Sequence, residues 1–109
     1  METVSLSKLS AELLDQAQAA NSGRAAHTVR GGHDHRLRQT MICLVAGKEL
    51  AEHSSPEEAT LHVLTGKALL TTPSASTEAS AGILLTIPNE RHTLIALEDT
   101  VVLLTVLAH

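Results

Sequence analysis

The sequence contains no phenylalanine, tyrosine or tryptophan among its 109 residues. No aromatic ring is available to stack on a base, a sugar or a flavin, which excludes the stacking used by many single-strand-binding proteins. The core must therefore be built from leucine, valine, isoleucine and alanine, within an apolar fraction of 43%. A chain of this length fits one domain with one core of modest size.

Basic residues are also few. The chain has 8 lysines and arginines against 12 aspartates and glutamates, and its formal net charge is −4. Only Arg30, Arg36 and Arg38 lie close together, and Asp34 interrupts them. Because a nucleic-acid partner requires a basic patch, we expect no nucleic-acid binding.

Long hydrophobic runs are absent as well. No apolar run approaches the ~18 residues that a membrane-spanning helix needs. The first ten residues, METVSLSKLS, also lack the pattern of a signal peptide. We therefore expect a cytoplasmic protein with no membrane partner.

Cysteine occurs once, at Cys43, so no intrachain disulfide can form. The cysteine lies in the apolar run Met41–Val45, which is typical of a buried strand. We expect Cys43 to be a buried structural thiol rather than a reactive one.

The apolar residues that are present define one helix followed by many strands. Leucines recur at helical spacing over residues 5–20, with a serine available as N-cap, and Gly23 follows the helix. The polar stretch 72–82 is interpreted as a mobile hairpin loop. We divide the chain into a helical segment, 1–22, and a β domain, 23–109. We expect eight strands, at 25–29, 37–46, 49–53, 59–64, 67–71, 83–87, 93–97 and 100–107, which indicates a sandwich or a closed barrel.

Two histidines can be assigned to faces by the alternation of strand side chains. In the run 59–64 the apolar residues should face inward, which places His62 outside or in a subunit interface. His92 shares a face with Leu94 and Ala96, so it can point into the interior. A histidine alone in such a place is more often part of the hydrogen-bonded structure than a ligand. In the run 59–64, the apolar face that should point inward consists of Ala59, Leu61 and Val63.

Two sequence blocks, separated by the polar stretch, carry a family resemblance. The blocks are Gly47-x5-His53-x-Ser55-x3-Ala59-x6-Gly66 and Gly82-x5-Pro88 followed by His92. Over residues 30–108 the chain resembles the cupin family, specifically the small single-domain cupins. The resemblance implies a mainly β fold, a cupin-type jelly-roll barrel (double-stranded β-helix), here with a short N-terminal helix.

The resemblance also indicates where a metal would be held. The family's ligands would correspond to His53, Ser55, Ala59 and His92, and only the two histidines keep a strong donor. A catalytic metal normally needs three protein ligands and an open position. A divalent metal (Zn, Ni, Fe or Mn) therefore requires help from elsewhere, and no cofactor is certain.

The stretch GGHDHRLRQT offers that help. His33 and His35 share a face if this segment is extended, and a pair beside His53 and His92 would make an imidazole-rich site. The other interpretation is a polar edge strand or turn with solvated histidines. Glu57 and Glu58 are less suited, because an exposed turn and the strand alternation place them outside.

Three functions follow. The first is binding of a small molecule in the barrel without a full metal site, through His53, His92, Gln39 or Arg38. Arg38 and Gln39 lie on opposite strand faces, so that one of them looks into the barrel. The second is a metal-dependent enzyme of dioxygenase or isomerase type that uses the histidines. The third is a structural or interaction module that acts through a dimer surface.

A homodimer is expected in each case. A core without aromatic rings is small, and burying the outward-facing Ile95 and Leu97 against a second copy would stabilise the chain.

Overall fold

A computed structural model describes residues 1–52 and 58–107 of the chain. The single helix of this part, α1 (Leu6–Ala19), begins after Ser5, whose hydroxyl oxygen accepts a hydrogen bond from the Lys8 N–H at 3.2 Å. This cap satisfies one of the N–H groups that a helix start leaves unpaired. The predicted helix at 5–20 is confirmed.

The rest of the described chain is mainly β. Each of the eight predicted runs contains a strand, and one strand was not predicted. The strands are β1 (Arg24–Arg30), β2 (Leu37–Leu44), β3 (Glu49–Glu52), β4 (Glu58–Thr65), β5 (Lys67–Thr71), β6 (Ser76–Ser80), β7 (Leu84–Thr86), β8 (His92–Ala96) and β9 (Thr100–Leu107).

The strands form two antiparallel sheets. Sheet A has five strands in the order β1-β2-β9-β4-β7, and sheet B has four in the order β3-β8-β5-β6. The chain crosses repeatedly between the sheets, since β3 belongs to sheet B and β4 to sheet A, while β7 belongs to sheet A and β8 to sheet B. The inward faces of the two sheets enclose one apolar core.

The unpredicted strand, β6, lies in the stretch that was interpreted as a mobile loop. It pairs with β5 in continuous register, from Lys67 opposite Ser80 to Thr71 opposite Ser76. That interpretation is wrong because backbone hydrogen bonds hold this edge strand. Only Ala79 of β6 is buried, so the apolar alternation that marks a strand is missing.

The second half of strand β2 is buried on both faces, which explains the continuous apolar run there. Ile42 and Leu44 belong to the core between the sheets, while Met41 and Cys43 belong to a second core beneath α1. Cys43 has no exposed surface, and burial and the nearby carboxylate of Asp99 raise the pKa of its thiol. The prediction of a buried thiol is therefore confirmed.

The helix packs directly on sheet A. Leu13 and Ala17 of α1 are buried together with Val101 of β9 in the second core. The division of the chain into a helical segment, 1–22, and a β domain, 23–109, stays a prediction. Within residues 1–52 and 58–107, no helix is long and apolar enough to cross a membrane.

Candidate functional site at the barrel mouth

One end of the barrel gathers most of the residues singled out in the sequence. In sheet A, Arg38 of β2 pairs with Val106 of β9, which pairs in turn with Ala59 of β4. In sheet B, Glu52 at the end of β3 pairs with His92 at the start of β8. Only five residues of chain separate the end of β3 from the start of β4, and only five separate β7 from β8. We call this end the mouth of the barrel.

His92 lies at the mouth and its side chain is 7% exposed. The burial of β8 alternates, so His92 shares the inward face with Leu94 and Ala96, as the sequence analysis anticipated. The Nδ1 atom of His92 lies 3.1 Å from the carbonyl oxygen of Glu90. A carbonyl oxygen can only accept a hydrogen bond, so Nδ1 carries the proton and the neutral ring keeps its lone pair on Nε2.

The Nε2 atom of His92 forms no hydrogen bond to the described part of the chain. Every fully buried side-chain nitrogen or oxygen atom in residues 1–52 and 58–107 has a partner. The Nε2 atom is therefore not fully buried, and it is the ring nitrogen that the described contacts leave open to a further partner. His92 combines a fixed ring with an accessible acceptor atom, which is the arrangement that a binding residue needs.

Ala59 occupies the position where the family resemblance implies a carboxylate ligand. It is 8% exposed and lies on the inward face of β4 with Leu61 and Val63. The backbone thus presents this position to the interior, but its methyl group has no donor atom. His53 and Ser55, the neighbouring motif positions, lie outside the described residues, as does Glu57.

The described residues do not provide a metal site. They contain no group of three or more histidine, cysteine, aspartate or glutamate side chains placed to hold an ion. A stable catalytic site for a divalent ion requires about three protein donors. The donor set at the mouth, within the described chain, is therefore too small for the metal that the resemblance implies.

His33 and His35 do not form an extended pair. Strand β1 ends at Arg30 and β2 begins at Leu37, and both histidines lie in the turn between them. The turn includes Gly32 at a φ of +116°, a backbone angle that side-chain-bearing residues rarely adopt. The condition for a shared strand face is therefore not met, and the other interpretation, a turn, describes this segment.

His35 is nevertheless held in a defined position. Its Nδ1 atom lies 2.8 Å from the carbonyl oxygen of Gly31, so this ring also carries its proton on Nδ1. Its backbone N–H donates to the Gly32 carbonyl oxygen at 3.2 Å. The β1–β2 turn lies at the same end of sheet A as the start of β4, because Leu37 and Glu58 both pair with Leu107. The turn thus belongs to the end of the barrel where the mouth lies.

Arg38 and Gln39 lie on opposite faces of β2, as predicted. Arg38 has the same parity as Ile42 and Leu44, which face the core between the sheets, and its side chain reaches solvent at the mouth. Gln39 is on the outer face, where its Nε2 donates to the Thr105 hydroxyl at 3.2 Å. Arg38 is therefore the member of the pair that can contribute to the mouth. Gln39 is engaged on the other side of the sheet, and a role for it in the barrel lining is not supported.

Below the mouth the interior is closed by aliphatic side chains. The cluster of core residues is filled by leucine, isoleucine, valine and alanine from both sheets, with Leu50, Leu85, Ile87 and Leu104 packed against it. A molecule bound within the barrel would therefore sit at its mouth rather than deep inside. His92 and Arg38 lie at this end of the barrel on inward faces of sheets B and A, and Ala59 and Val106 are register partners at the same end of sheet A.

One mouth residue was missed by the sequence analysis. Glu90 lies in the segment between β7 and β8, and Ser74 Oγ donates to its Oε1 at 2.8 Å. Hydrogen bonds from Thr72 and from Ser74 lower the pKa of this carboxyl group. The contact ties the residues before His92 to the turn between β5 and β6. No local pattern could reveal it, since Ser74 and Glu90 are 16 positions apart.

Comparison with known proteins supports the fold. No family model and no curated protein matches the chain. Among solved structures, a conserved protein of unknown function from Streptococcus pyogenes matches with a TM-score of 0.72 and 26% identity, over 83% of this chain and 78% of that one. A cupin superfamily protein from Desulfitobacterium hafniense matches with a TM-score of 0.71 and 14% identity, over 79% of this chain and 78% of that one.

A cupin 2 conserved barrel domain protein from Salinispora arenicola matches over more of the chain. Its TM-score is 0.67 at 18% identity, and the match covers 96% of this chain and 87% of that one. Such likenesses at low identity establish the fold and leave the activity open. The fold expected from the sequence is confirmed, and the chain has the mainly β jelly-roll fold of a small single-domain cupin, with a short N-terminal helix.

Proposed function

We propose that this protein binds a small organic molecule at the mouth of its barrel, without a full metal site. The observation that carries the proposal is His92, which is held through Nδ1 by the Glu90 carbonyl oxygen and keeps Nε2 accessible. Ligand sites in proteins are typically apolar hollows with a few fixed polar groups. The mouth fits that description, with aliphatic side chains around one oriented imidazole.

The neighbouring side chains indicate the chemistry of the ligand. The neutral His92 ring accepts a hydrogen bond at Nε2, which suits a hydroxyl or amide donor. Arg38, on the inward face of β2, suits a carboxylate, which guanidinium groups bind with two parallel hydrogen bonds. The sequence adds His53 as a further candidate. A small molecule with one donor group, one carboxylate and an apolar part fits best.

A thermal-shift screen of small hydroxy acids and related metabolites tests this proposal. A ligand should raise the melting temperature of the wild-type protein, and His92→Ala and Arg38→Ala should each lose most of that rise. His62→Ala is the matched control, because His62 lies on the outer face of β4. If the ligand stabilises His92→Ala as strongly as the wild type, the mouth is not its site.

The alternative is a metal-dependent cupin enzyme of dioxygenase or isomerase type. One observation favours it, namely that His92 and His35 both place Nδ1 against a backbone carbonyl oxygen. Metal-binding histidines are commonly oriented in this way and coordinate through the other nitrogen. His53, His92, His33 and His35 remain the candidate ligands for Zn, Ni, Fe or Mn.

Metal analysis of protein purified without a His-tag separates the two functions. Stoichiometric metal in the wild type that is lost in both His53→Ala and His92→Ala would support the enzyme. Folded wild-type protein without metal would exclude it and leave the metal-free binding function standing.

A homodimer remains part of the proposal, and with it a role as an interaction module. Large apolar side chains on the outer faces support it, since Leu97 is 46% exposed and Leu84 is 64% exposed. A location in the cytoplasm and the lack of nucleic-acid or membrane partners are likewise predictions from composition.

A further inference from the structure

A second pocket lies on the outer face of sheet B, near the mouth but on the other side of the sheet. Its volume is about 400 Å³, which is enough for one small molecule. Thr71 and Thr93 line it and are register partners in neighbouring strands. Ala51 of β3 is the partner of Thr93 on the other side. Because His92 and Leu94 face inward, Thr93 between them faces outward.

The polar residues of this pocket are Arg91, His92, Thr72, whose hydroxyl donates to the Ala75 carbonyl oxygen, and the two strand threonines, Thr71 and Thr93. Arg91 directly precedes β8 and lines the pocket together with the two threonines. None of the lining residues in the described chain is a carboxylate. The side chains of Arg91, Thr71 and Thr93 form no hydrogen bond or ion pair within residues 1–52 and 58–107.

Lys67, the other cation near the strand pair β5 and β8, has an ion-pair partner. Lys67, at the far end of β5, pairs with Glu78 at 3.4 Å, and this is the ion pair found in the described part of the chain. Arg91 has no such neutralising partner there. A guanidinium beside two hydroxyl groups, with no carboxylate among the described lining residues, is the donor set that proteins use to hold an oxyanion.

We propose that this outer pocket binds a small oxyanion, the carboxylate or phosphate group of a small molecule. Arg91 supplies the charge and a bidentate fork, and Thr71 and Thr93 donate from the strand surface. Ala51 and Pro73 add apolar contact for the remainder of the ligand. His92 lines this pocket as well as the mouth, but the two strand threonines proposed to hold the oxyanion face outward, away from the inward face that carries Arg38.

General electrostatics would not produce this binding. The chain carries a formal net charge of −4, so anions are not drawn to it as a whole. A saturable anion site must therefore depend on local groups. One arginine is also too small a patch for a nucleic acid or a membrane surface.

The experiment is a titration of the ¹⁵N-labelled full chain followed by ¹H–¹⁵N NMR, at constant ionic strength set with sodium chloride. Inorganic phosphate is one probe and acetate is the other, which distinguishes the two oxyanions. At least one probe should shift the amide signals of Thr71, Arg91 and Thr93 along saturable curves. Arg91→Ala should weaken that binding at least about tenfold, as expected for loss of a charge-assisted contact.

Two further variants keep the result interpretable. Arg24→Ala removes the same charge from the start of β1, which pairs with Leu44 at the other end of sheet A, and should leave binding unchanged. Thr93→Val keeps the shape of the side chain and should weaken binding by removing one donor. Linear, unsaturable shifts, or an equal loss in Arg24→Ala and Arg91→Ala, would overturn the proposal. The Arg38→Ala variant, which changes the mouth but no residue that lines this pocket, should still bind the probe, so failure here and failure of the mouth proposal are separable.

Discussion

Gly47 and Gly66 have the same left-handed backbone conformation, with φ of +86° in both, but their surroundings differ. A Cβ atom at Gly47 would meet nothing within 4 Å. A Cβ atom at Gly66 would collide with the Asp99 carbonyl oxygen and would lie 2.7 Å from Thr100 Oγ1. An alanine at Gly47 would therefore meet only the strain of the left-handed backbone, whereas an alanine at Gly66 would also collide with its neighbours.

We predict that Gly66→Ala destabilises the protein far more than Gly47→Ala. The left-handed conformation alone should cost Gly47→Ala about 1–2 kcal/mol of unfolding free energy. Gly66→Ala should lose about 1–3 kcal/mol beyond that, because the backbone of the β8–β9 turn must move. Urea denaturation of both variants measures the difference, and equal losses would show that the turn adapts without cost.

At the level of single residues, the sequence predicted which face of a strand a side chain occupies better than it predicted the hydrogen-bond partner of that side chain. The inward face of His92 and of Ala59 follows from strand alternation, which depends only on neighbours in the chain. The hydrogen bond that orients His92 depends on how the segment between β7 and β8 folds back, and this is not encoded in any spacing. The spacing of His33 and His35 left an extended segment and a turn both open, and the turn, which includes Gly32 at a positive φ, is what forms.

At the level of elements, the segment before β8 and the turn after β5 act as one unit. Glu90 accepts a hydrogen bond from Ser74, and Thr72 in turn accepts from the Ala75 N–H at 3.1 Å within the same turn. The pair fixes the carbonyl group that holds His92. The strand β6 that follows this turn was missed because polar side chains hide it from a hydrophobic pattern.

We predict that this contact makes stability depend on pH. The pKa of Glu90 is lowered from its ordinary value of 4.5, so its stabilising effect is complete above that pH and is lost as the pH falls through the lower folded-state value. The melting temperature of the wild type should therefore fall more between pH 7 and acidic pH than that of Glu90→Gln. Glu12→Gln, which alters an exposed carboxylate of α1, is the control and should keep the wild-type profile.

A profile of Glu90→Gln that follows the wild type throughout would contradict this link. The measurement is a series of thermal unfolding curves at matched ionic strength, so that screening does not differ between samples.

At the level of the whole molecule, the two motif blocks were sufficient to predict the fold but not to predict the activity. Glycines, proline and the late histidine report on turns and strand order, which the structure reproduces. The activity depends on the motif positions that would hold a metal. At those positions Ala59 departs from the family pattern, and His53 lies outside the described residues. The same sequence can therefore specify a cupin barrel clearly and its metal poorly.

We predict a homodimer in which the part of the outer face of sheet B away from the mouth is buried, so that the pocket at Thr71 and Thr93 stays open. Ile95 and Leu69 are partners at the centre of that face, and Leu97 lies at the end away from the mouth. Leu97→Asp should place a charge in the interface and shift the protein toward monomer, whereas Leu37→Asp, on β2 of sheet A, should not. Sedimentation velocity at micromolar concentration measures both, and a monomeric wild type would contradict the prediction.

The central claim is that His92 presents an accessible Nε2 atom to a ligand at the mouth. Long-range ¹H–¹⁵N NMR of the imidazole at a pH where the ring is neutral tests it most directly. We expect the tautomer protonated on Nδ1, and we expect the Nε2 signal to shift when a ligand from the thermal-shift screen is added. A ring protonated on Nε2, or an Nε2 signal that does not respond to such a ligand, would contradict it.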